Sequence, residues 1–179
     1  MESSLLVLKS IVCFAVVLML SACATTSDNR FNVDYASLLP PQENTDGKKM
    51  ILVDPNSHAW GAYAADGHLV RAGIATAGGR VCPPDADEAD CRTGIGKFHI
   101  TSMQGENCAS KVYPKPTGGG LMPYCMFFHN GEALHGSPDN IVINDNVSHG
   151  CVRMRIQDAE WMQTNFAEIG TTVKVLPYD

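Results

Sequence analysis

The sequence lacks the basic patches that nucleic-acid binding requires. Its 179 residues carry 13 Lys and Arg against 19 Asp and Glu, a formal net charge of −6, and no basic run interrupts this mixture. Because duplex binding depends on clustered Lys and Arg, we expect no nucleic-acid partner. Internal repeats and low-complexity tracts are also missing. The content of 45% hydrophobic and 18% charged residues is typical of one globular domain with an appended tail.

The sequence also lacks an apolar run long enough to span a bilayer as a stable helix. The run from Ile11 to Ala22 is too short, and Lys9 precedes it, as in a targeting segment. It ends in Leu20-Ser21-Ala22-Cys23, which resembles the lipobox of bacterial lipoproteins. The resemblance implies cleavage before Cys23 and acylation of that cysteine, which would anchor the chain to a membrane. An ordinary secretory signal, cut near the same place, is the alternative.

These features divide the chain into three predicted parts. Residues 1–22 form a signal peptide, residues 23–47 a lipidated cysteine with a polar tether, and residues 48–179 the folded domain. Because Ala24 rather than Asp follows the cysteine, the lipoprotein resemblance implies the outer membrane, with the domain in the periplasm as a monomer. Apolar residues in the tether indicate that part of it docks on the domain: Phe31, Val33, Tyr35, Leu38 and Leu39.

Alternation of apolar and polar residues predicts a mainly β domain, a sandwich or mixed sheet. The predicted strands cover residues 50–53, 60–65, 68–77, 93–100, 121–128, 132–135 and 172–176, with another around Val152. One C-terminal helix is predicted because Ala159, Met162, Phe166 and Ile169 have the spacing of a single helical face, with Gly170 as its stop.

The cysteine count predicts one free thiol. Cys13 leaves with the signal peptide and Cys23 carries lipid, so five cysteines remain, and an odd number in an oxidising compartment leaves one unpaired. If that one is Cys151, the other four allow three pairings. We favour local closure, Cys82 with Cys91 and Cys108 with Cys125. Buried free thiols are the alternative for some of them.

The segment Ser148-His149-Gly150-Cys151-Val152-Arg153-Met154 holds the candidate nucleophile. On a strand, side chains alternate faces, so Cys151 and Arg153 would share one surface. Gly150 lacks a Cβ and lets a substrate approach the backbone beside the thiol. A catalytic thiol also needs a base that takes its proton.

Among the six histidines, His135 is the preferred base. The turn residues Gly136-Ser137-Pro138 follow it and would end its strand at the edge of a site, with His129 as a lesser candidate. A zinc hydrolase is a second class of function that we considered, but the zinc-binding spacing His-Glu-x-x-His is absent. The zinc ligands would be His129, His135, His149 and Cys151. A third class of function is that of a non-catalytic lipoprotein that serves adhesion or binding to the cell wall.

The segment Ser148–Arg153, together with His135-Gly136, resembles the active-site signature of the L,D-transpeptidase catalytic domain family. The likeness extends from about Lys48 to Pro177. Thr93-Gly94-Ile95-Gly96-Lys97-Phe98 resembles the family's strand Thr-Pro-x-Gly-x-Phe, with Gly94 in place of the proline. Two further segments also fit the pattern of this family: Met122-Pro123-Tyr124 and Gly170-Thr171-Thr172-Val173. The 12 residues between His135 and Ser148 are fewer than in the commonest form of the motif.

The resemblance implies acyl transfer on peptidoglycan stem peptides, without a cofactor. Cys151 would attack the carbonyl between diaminopimelate and D-alanine, His135 would be the base, and the carbonyl of Gly136 would orient the imidazole. The N–H groups of Gly150 and Cys151 are the expected oxyanion donors. The acceptor is left open among a stem peptide, a D-amino acid, a protein lysine and water.

The same resemblance implies roles for four further side chains. His149 is expected to shape the loop. Arg153 is expected to bind a substrate carboxylate, with a structural ion pair as the alternative. Ser148 is expected to act as a hydrogen-bonding strut at the substrate site, and Tyr124 to contact substrate.

Overall fold

A computed structural model describes residues 29–179 of the chain. The predicted signal peptide and the predicted lipidation site Cys23 lie outside the described residues. Within residues 29–179, no helix has the length and apolar character needed to cross a membrane.

Nine strands form two sheets within the described part of the chain. They are β1 (Met50–Asp54), β2 (Ala59–Tyr63), β3 (Leu69–Ile74), β4 (Gly96–His99), β5 (Ser102–Met103), β6 (Met126–His129), β7 (Glu132–Ser137), β8 (Val152–Arg155) and β9 (Thr172–Val175). The first sheet has the order β3-β2-β1-β9-β4 and the second the order β5-β6-β7-β8. Both sheets are mixed, because β1 pairs with β9 in parallel and β7 pairs with β8 in parallel. The prediction of a mainly β, mixed-sheet domain is confirmed.

The main core lies between the two sheets and is closed by the helix. Ile51 and Val53 of the first sheet meet Leu134 and Val152 of the second, and all four are fully buried. Strand β1 is buried on both faces, because its alternate residues Met50 and Leu52 belong to a second apolar cluster. A buried central strand of this kind is expected to read as a continuous apolar run rather than as an alternation.

Part of the predicted tether packs on this second cluster. Tyr35 and Leu39 are buried there and Phe31 packs against it, whereas Val33 and Leu38 are 42% and 46% exposed. Phe31 lies in the short 3₁₀ turn Asn29–Asn32, and Tyr35 and Leu38 lie in a second turn, Tyr35–Leu38. The outer face of the first sheet is therefore covered by residues that precede the predicted domain boundary.

The C-terminal helix is present but shorter than predicted. Helix α1 covers Ile156–Trp161, a π-helical turn continues it over Met162–Phe166, and Ala167 is already extended. Ala159, Met162 and Phe166 are buried as their spacing predicted. The prediction was wrong for Ile169, which lies beyond the helix and is 68% exposed, because the wider π turn ends the helical path before it.

Three strands are also shorter than predicted. The predicted strand 68–77 ends at Ile74, the predicted strand 93–100 is regular only over β4, and the predicted strand 121–128 begins only at Met126. In the last of these, the irregular residues Leu121 and Met122 line the cleft described below.

Among residues 29–179, two disulfides each close a loop. Cys82 is bonded to Cys91 and Cys108 to Cys125, whereas Cys151 is free. The predicted local pairing and the predicted free thiol are confirmed.

Candidate active site

The parallel register of β7 and β8 brings the predicted nucleophile and base to one face. His135 is the register partner of Arg153, and Cys151 lies two residues before Arg153. Because side chains on a strand alternate, these three share a face, opposite to the fully buried Leu134 and Val152. Cys151 directly precedes β8, so Cys151 and His135 are diagonal neighbours across the β7–β8 pair, and all three side chains line one cleft.

The imidazole of His135 is held from its Nδ1 side. Nδ1 lies 2.8 Å from the carbonyl oxygen of Gly136 and 3.3 Å from the hydroxyl of Ser137. A carbonyl can only accept, so Nδ1 carries the hydrogen and Nε2 is the basic nitrogen. Burial lowers the pKa of His135 to about 4, which leaves the ring neutral at neutral pH. Ser137, buried in β7, is a contact that sequence reasoning missed because it was assigned only to a turn.

The thiol of Cys151 is half-buried and protonated at neutral pH. Burial, with a smaller contribution from the carboxylate of Glu132, raises its pKa to about 11, although the Ala133 N–H donates to the sulfur. Within the described residues no hydrogen bond joins the sulfur to the His135 imidazole. The sulfur packs instead beside Ala133 and the Cys108–Cys125 disulfide.

Ser148 holds the backbone around the nucleophile, as the predicted strut. Its hydroxyl donates to the carbonyl of Cys151 and accepts from the N–H of Gly150, which lies 3.1 Å away. Gly150 has φ +114°, in a region that favours glycine. The predicted oxyanion role of the Gly150 N–H does not fit, because Ser148 already occupies that donor. The Cys151 N–H has no acceptor among residues 29–179.

Arg153 is a half-buried cation in the cleft. No ion pair to its guanidinium is found in the described part of the chain, and burial lowers its pKa. The alternative of a structural ion pair therefore has no partner residue. An unpaired guanidinium beside the nucleophile is suited to an anionic ligand such as a carboxylate.

His149 joins the two disulfide-closed loops above the cleft. Its Nε2 lies 2.6 Å from Asp85 in the Cys82–Cys91 loop, and its ring stacks on Tyr113 of the Cys108–Cys125 loop with centroids 3.9 Å apart. Neither Asp85 nor Tyr113 was predicted, because both come from loops whose meeting depends on the whole fold. For this role of His149, the sequence offered only one indication, namely that the histidine lies two positions before the nucleophile.

Tyr124 does not line the cleft, so its predicted contact with substrate is wrong. It has φ +56° and packs against the main core, where burial, followed by the carboxylates of Glu160 and Glu106, raises the pKa of its phenol.

His129, the lesser candidate base, belongs to a separate cluster. Its Nδ1 lies 3.0 Å from Glu132, which also accepts hydrogen bonds from the N–H of Gly94. A Cβ on Gly94 would lie only 2.4 Å from Nδ1 of His129. Glycine in place of the family's proline thus supplies a donor and leaves room for the imidazole.

The zinc alternative lacks a ligand set. His129 is bound to Glu132, and His149 is bound to Asp85 in another part of the cleft. No three His, Cys, Asp or Glu side chains within residues 29–179 are grouped as ligands of one metal ion.

Comparison with known proteins agrees with this arrangement. The family model described as the L,D-transpeptidase catalytic domain matches residues 48–175. No curated protein matches the sequence. An L,D-transpeptidase structure from Xylanimonas cellulosilytica has 23% identity and a TM-score of 0.65, with 78% of this chain and 65% of that one covered.

Two further structures have similar values. An L,D-transpeptidase from Stackebrandtia nassauensis has 21% identity and a TM-score of 0.59, over 76% of this chain and 58% of that one. An L,D-transpeptidase solved in complex with imipenem has 20% identity and a TM-score of 0.57, over 72% and 58%. The chain spans less than two thirds of the length of each of these structures, and at such identities the likeness establishes the fold.

Proposed function

The chain belongs to the L,D-transpeptidase catalytic domain family, and we propose that it is a cysteine acyltransferase acting on peptidoglycan stem peptides. It cleaves the diaminopimelate–D-alanine bond through a thioester on Cys151 and transfers the acyl group to an amine. The observation that carries this proposal is that a free thiol, a neutral imidazole and an unpaired guanidinium line one cleft.

The first half of the reaction forms the thioester. Rotation about the Cα–Cβ bond of Cys151 moves the sulfur from the Ala133 amide towards Nε2 of His135, which accepts the thiol proton as the sulfur attacks the carbonyl carbon. The C–S bond forms and the carbonyl oxygen becomes an oxyanion. The C–N bond then breaks, and the imidazolium gives its proton to the departing amine of D-alanine.

The second half returns the enzyme to its resting state. An acceptor amine attacks the thioester and loses a proton to His135, and the released thiolate of Cys151 takes that proton back. Throughout, the Gly136 carbonyl holds Nδ1–H and so stabilises the positive charge that the ring carries transiently. Arg153 binds a carboxylate of the stem peptide, because its guanidinium lacks any partner in the resting cleft.

Three amine acceptors use this machinery: a second stem peptide gives a 3–3 crosslink, a free D-amino acid gives exchange, and a protein lysine gives tethering. Water as acceptor would make the protein an L,D-carboxypeptidase. We favour crosslinking or exchange within the wall. The same proposal includes lipid anchoring through Cys23, with the domain facing peptidoglycan in the periplasm.

The test is intact-mass measurement after incubation with imipenem, the ligand of one structural relative. We expect one covalent adduct on the wild-type protein, none on Cys151→Ala and slow formation on His135→Ala. Tyr124→Phe is the control, because that side chain lies outside the cleft, and it should react as the wild type does. An adduct on Cys151→Ala would refute the nucleophile assignment.

Analysis of products from purified tetrapeptide fragments then identifies the acceptor. Dimers indicate crosslinking, tetrapeptides with a new terminal residue indicate exchange, and tripeptides indicate hydrolysis. Absence of any product, with Cys151 intact and reactive, would favour the non-catalytic wall-binding alternative.

A further inference from the structure

We propose that Thr93 is a positioning residue that fixes the Cys151 N–H in the orientation needed to bind the oxyanion, and that Tyr178 holds Thr93 for this purpose. This inference rests on the proposed acyl transfer and adds the residues that orient its transition-state donor. Neither Thr93 nor Tyr178 lines the cleft.

The argument begins with the geometry of one peptide group. The carbonyl of Gly150 and the N–H of Cys151 belong to the same planar trans unit, so they point in opposite directions. The hydroxyl of Thr93 donates to the carbonyl oxygen of Gly150 at 2.8 Å. Whatever fixes that carbonyl also fixes the N–H, which is directed away from Thr93.

The side away from Thr93 is the side of the cleft. Thr93 is 1% exposed and lies behind the nucleophile loop, whereas Cys151 lines the cleft. Among residues 29–179 the Cys151 N–H has no acceptor, whereas the Gly150 N–H is bound to Ser148. Its free hydrogen and its direction suit the oxygen of a carbonyl under attack by the adjacent sulfur.

The Thr93 hydroxyl has a single possible arrangement. Its single hydrogen is donated to the Gly150 carbonyl, and its oxygen accepts a hydrogen bond from the N–H of Gly78 at 3.0 Å. Reversing the hydroxyl would leave the buried carbonyl of Gly150 without a donor and would place two hydrogens face to face. The arrangement therefore holds the peptide in one orientation.

Tyr178 closes the network from the C-terminal end of the chain. Its hydroxyl accepts from the N–H of Thr93 at 3.0 Å and donates to the carbonyl of Gly78 at 2.7 Å. Four hydrogen bonds thus join Tyr178, Thr93, Gly78 and Gly150, which come from four separate segments. Gly78 must lack a side chain here, because a Cβ would lie 1.9 Å from the carbonyl oxygen of Cys91 and 2.8 Å from the Cα of Gly150.

The test compares two reactions of the same sulfur. Acylation by imipenem develops an oxyanion, whereas alkylation by iodoacetamide displaces iodide and develops none. We expect Thr93→Val to slow acylation by about 10- to 100-fold, up to the loss seen when an oxyanion donor is removed, and to leave alkylation unchanged. Thr93→Ser keeps the hydroxyl and should restore acylation, and Tyr178→Phe should cause a smaller loss of the same kind.

Thr101→Val is the matched control, because it removes a threonine hydroxyl that binds the carbonyl of Phe127 away from the cleft. Equal slowing of acylation and alkylation by Thr93→Val would overturn the inference, as would no slowing at all. Should Thr93→Val fail to fold, Tyr178→Phe provides the test through the same ratio, the rate of acylation divided by the rate of alkylation. A wild-type protein that is alkylated but never acylated would refute the proposed function itself, and the inference with it.

Discussion

The protonation states of the nucleophile and the base lead to a prediction about pH. Burial raises the pKa of Cys151 to about 11 and lowers that of His135 to about 4. Between these values the thiol keeps its proton and the imidazole is neutral. We therefore expect a resting pair of neutral groups rather than a thiolate–imidazolium ion pair, and alkylation of Cys151 should rise with pH up to about 10.

The expected rate of alkylation follows from the shift in the pKa of the Cys151 thiol. Its ordinary pKa is 9.0, and the rise to about 11 has burial as its main cause and the Glu132 carboxylate as a smaller one, opposed by the Ala133 N–H and by Arg153. At pH 7 the thiolate fraction falls from about one in a hundred to about one in ten thousand. Alkylation of Cys151 should then be roughly a hundredfold slower than that of an exposed cysteine at the same pH.

The assay follows iodoacetamide incorporation into the Cys151 peptide by mass spectrometry, from about pH 5 to about pH 10, with glutathione as the reference thiol. We expect the rate to rise about tenfold per pH unit over this range. Acylation by imipenem uses His135 as base and should instead be nearly independent of pH, falling only towards pH 4 as the ring gains its proton. An alkylation rate that is constant from pH 5 to pH 9 would refute the neutral pair, because it would require a thiolate at rest.

Three further substitutions test the surroundings of the site. Glu132→Gln removes a charge that raises the pKa of Cys151, so alkylation at pH 8 should become several-fold faster; an unchanged rate would contradict the assigned effect. Gly94→Pro removes an N–H donor to Glu132 and places a Cβ against the His129 ring, so it should lower the free energy of unfolding in urea by at least about 1–3 kcal/mol, and a neutral result would contradict both effects. Replacing Cys108 and Cys125 together by Ser opens a loop with a sequence separation of 17 and should cost about 3 kcal/mol, read as a lower Tm, and an unchanged Tm would contradict it.

Features that depend on local alternation could be predicted from the sequence. The strand around Val152 presents Cys151 and Arg153 to one side, and the cysteine count predicted one free thiol. These conclusions need only the period of a strand and the number of thiols in an oxidising compartment. They hold whatever the neighbouring strands are.

Contacts between distant segments could not be predicted in this way. Asp85 and Tyr113 reach His149 only because two disulfide-closed loops meet over the cleft, and Thr93 reaches the nucleophile loop across 57 residues of sequence. Tyr124 was assigned to the site from its neighbourhood in the sequence alone. The structure places it outside the lining of the cleft, at a turn where its backbone has positive φ.

Nucleophile and base are placed by the same residues that form the core. Along β7 and β8, the buried Leu134 and Val152 alternate with His135 and Arg153, and Leu134 pairs with Val152 in the register that pairs His135 with Arg153. A slip of one residue would turn His135 into the core and expose Leu134, which is opposed by the burial of apolar surface across the sheet interface. The geometry of the cleft is thus maintained by the free energy of core packing. A truncation such as Leu134→Ala should therefore slow acylation as well as lower stability, although this side chain faces away from the cleft.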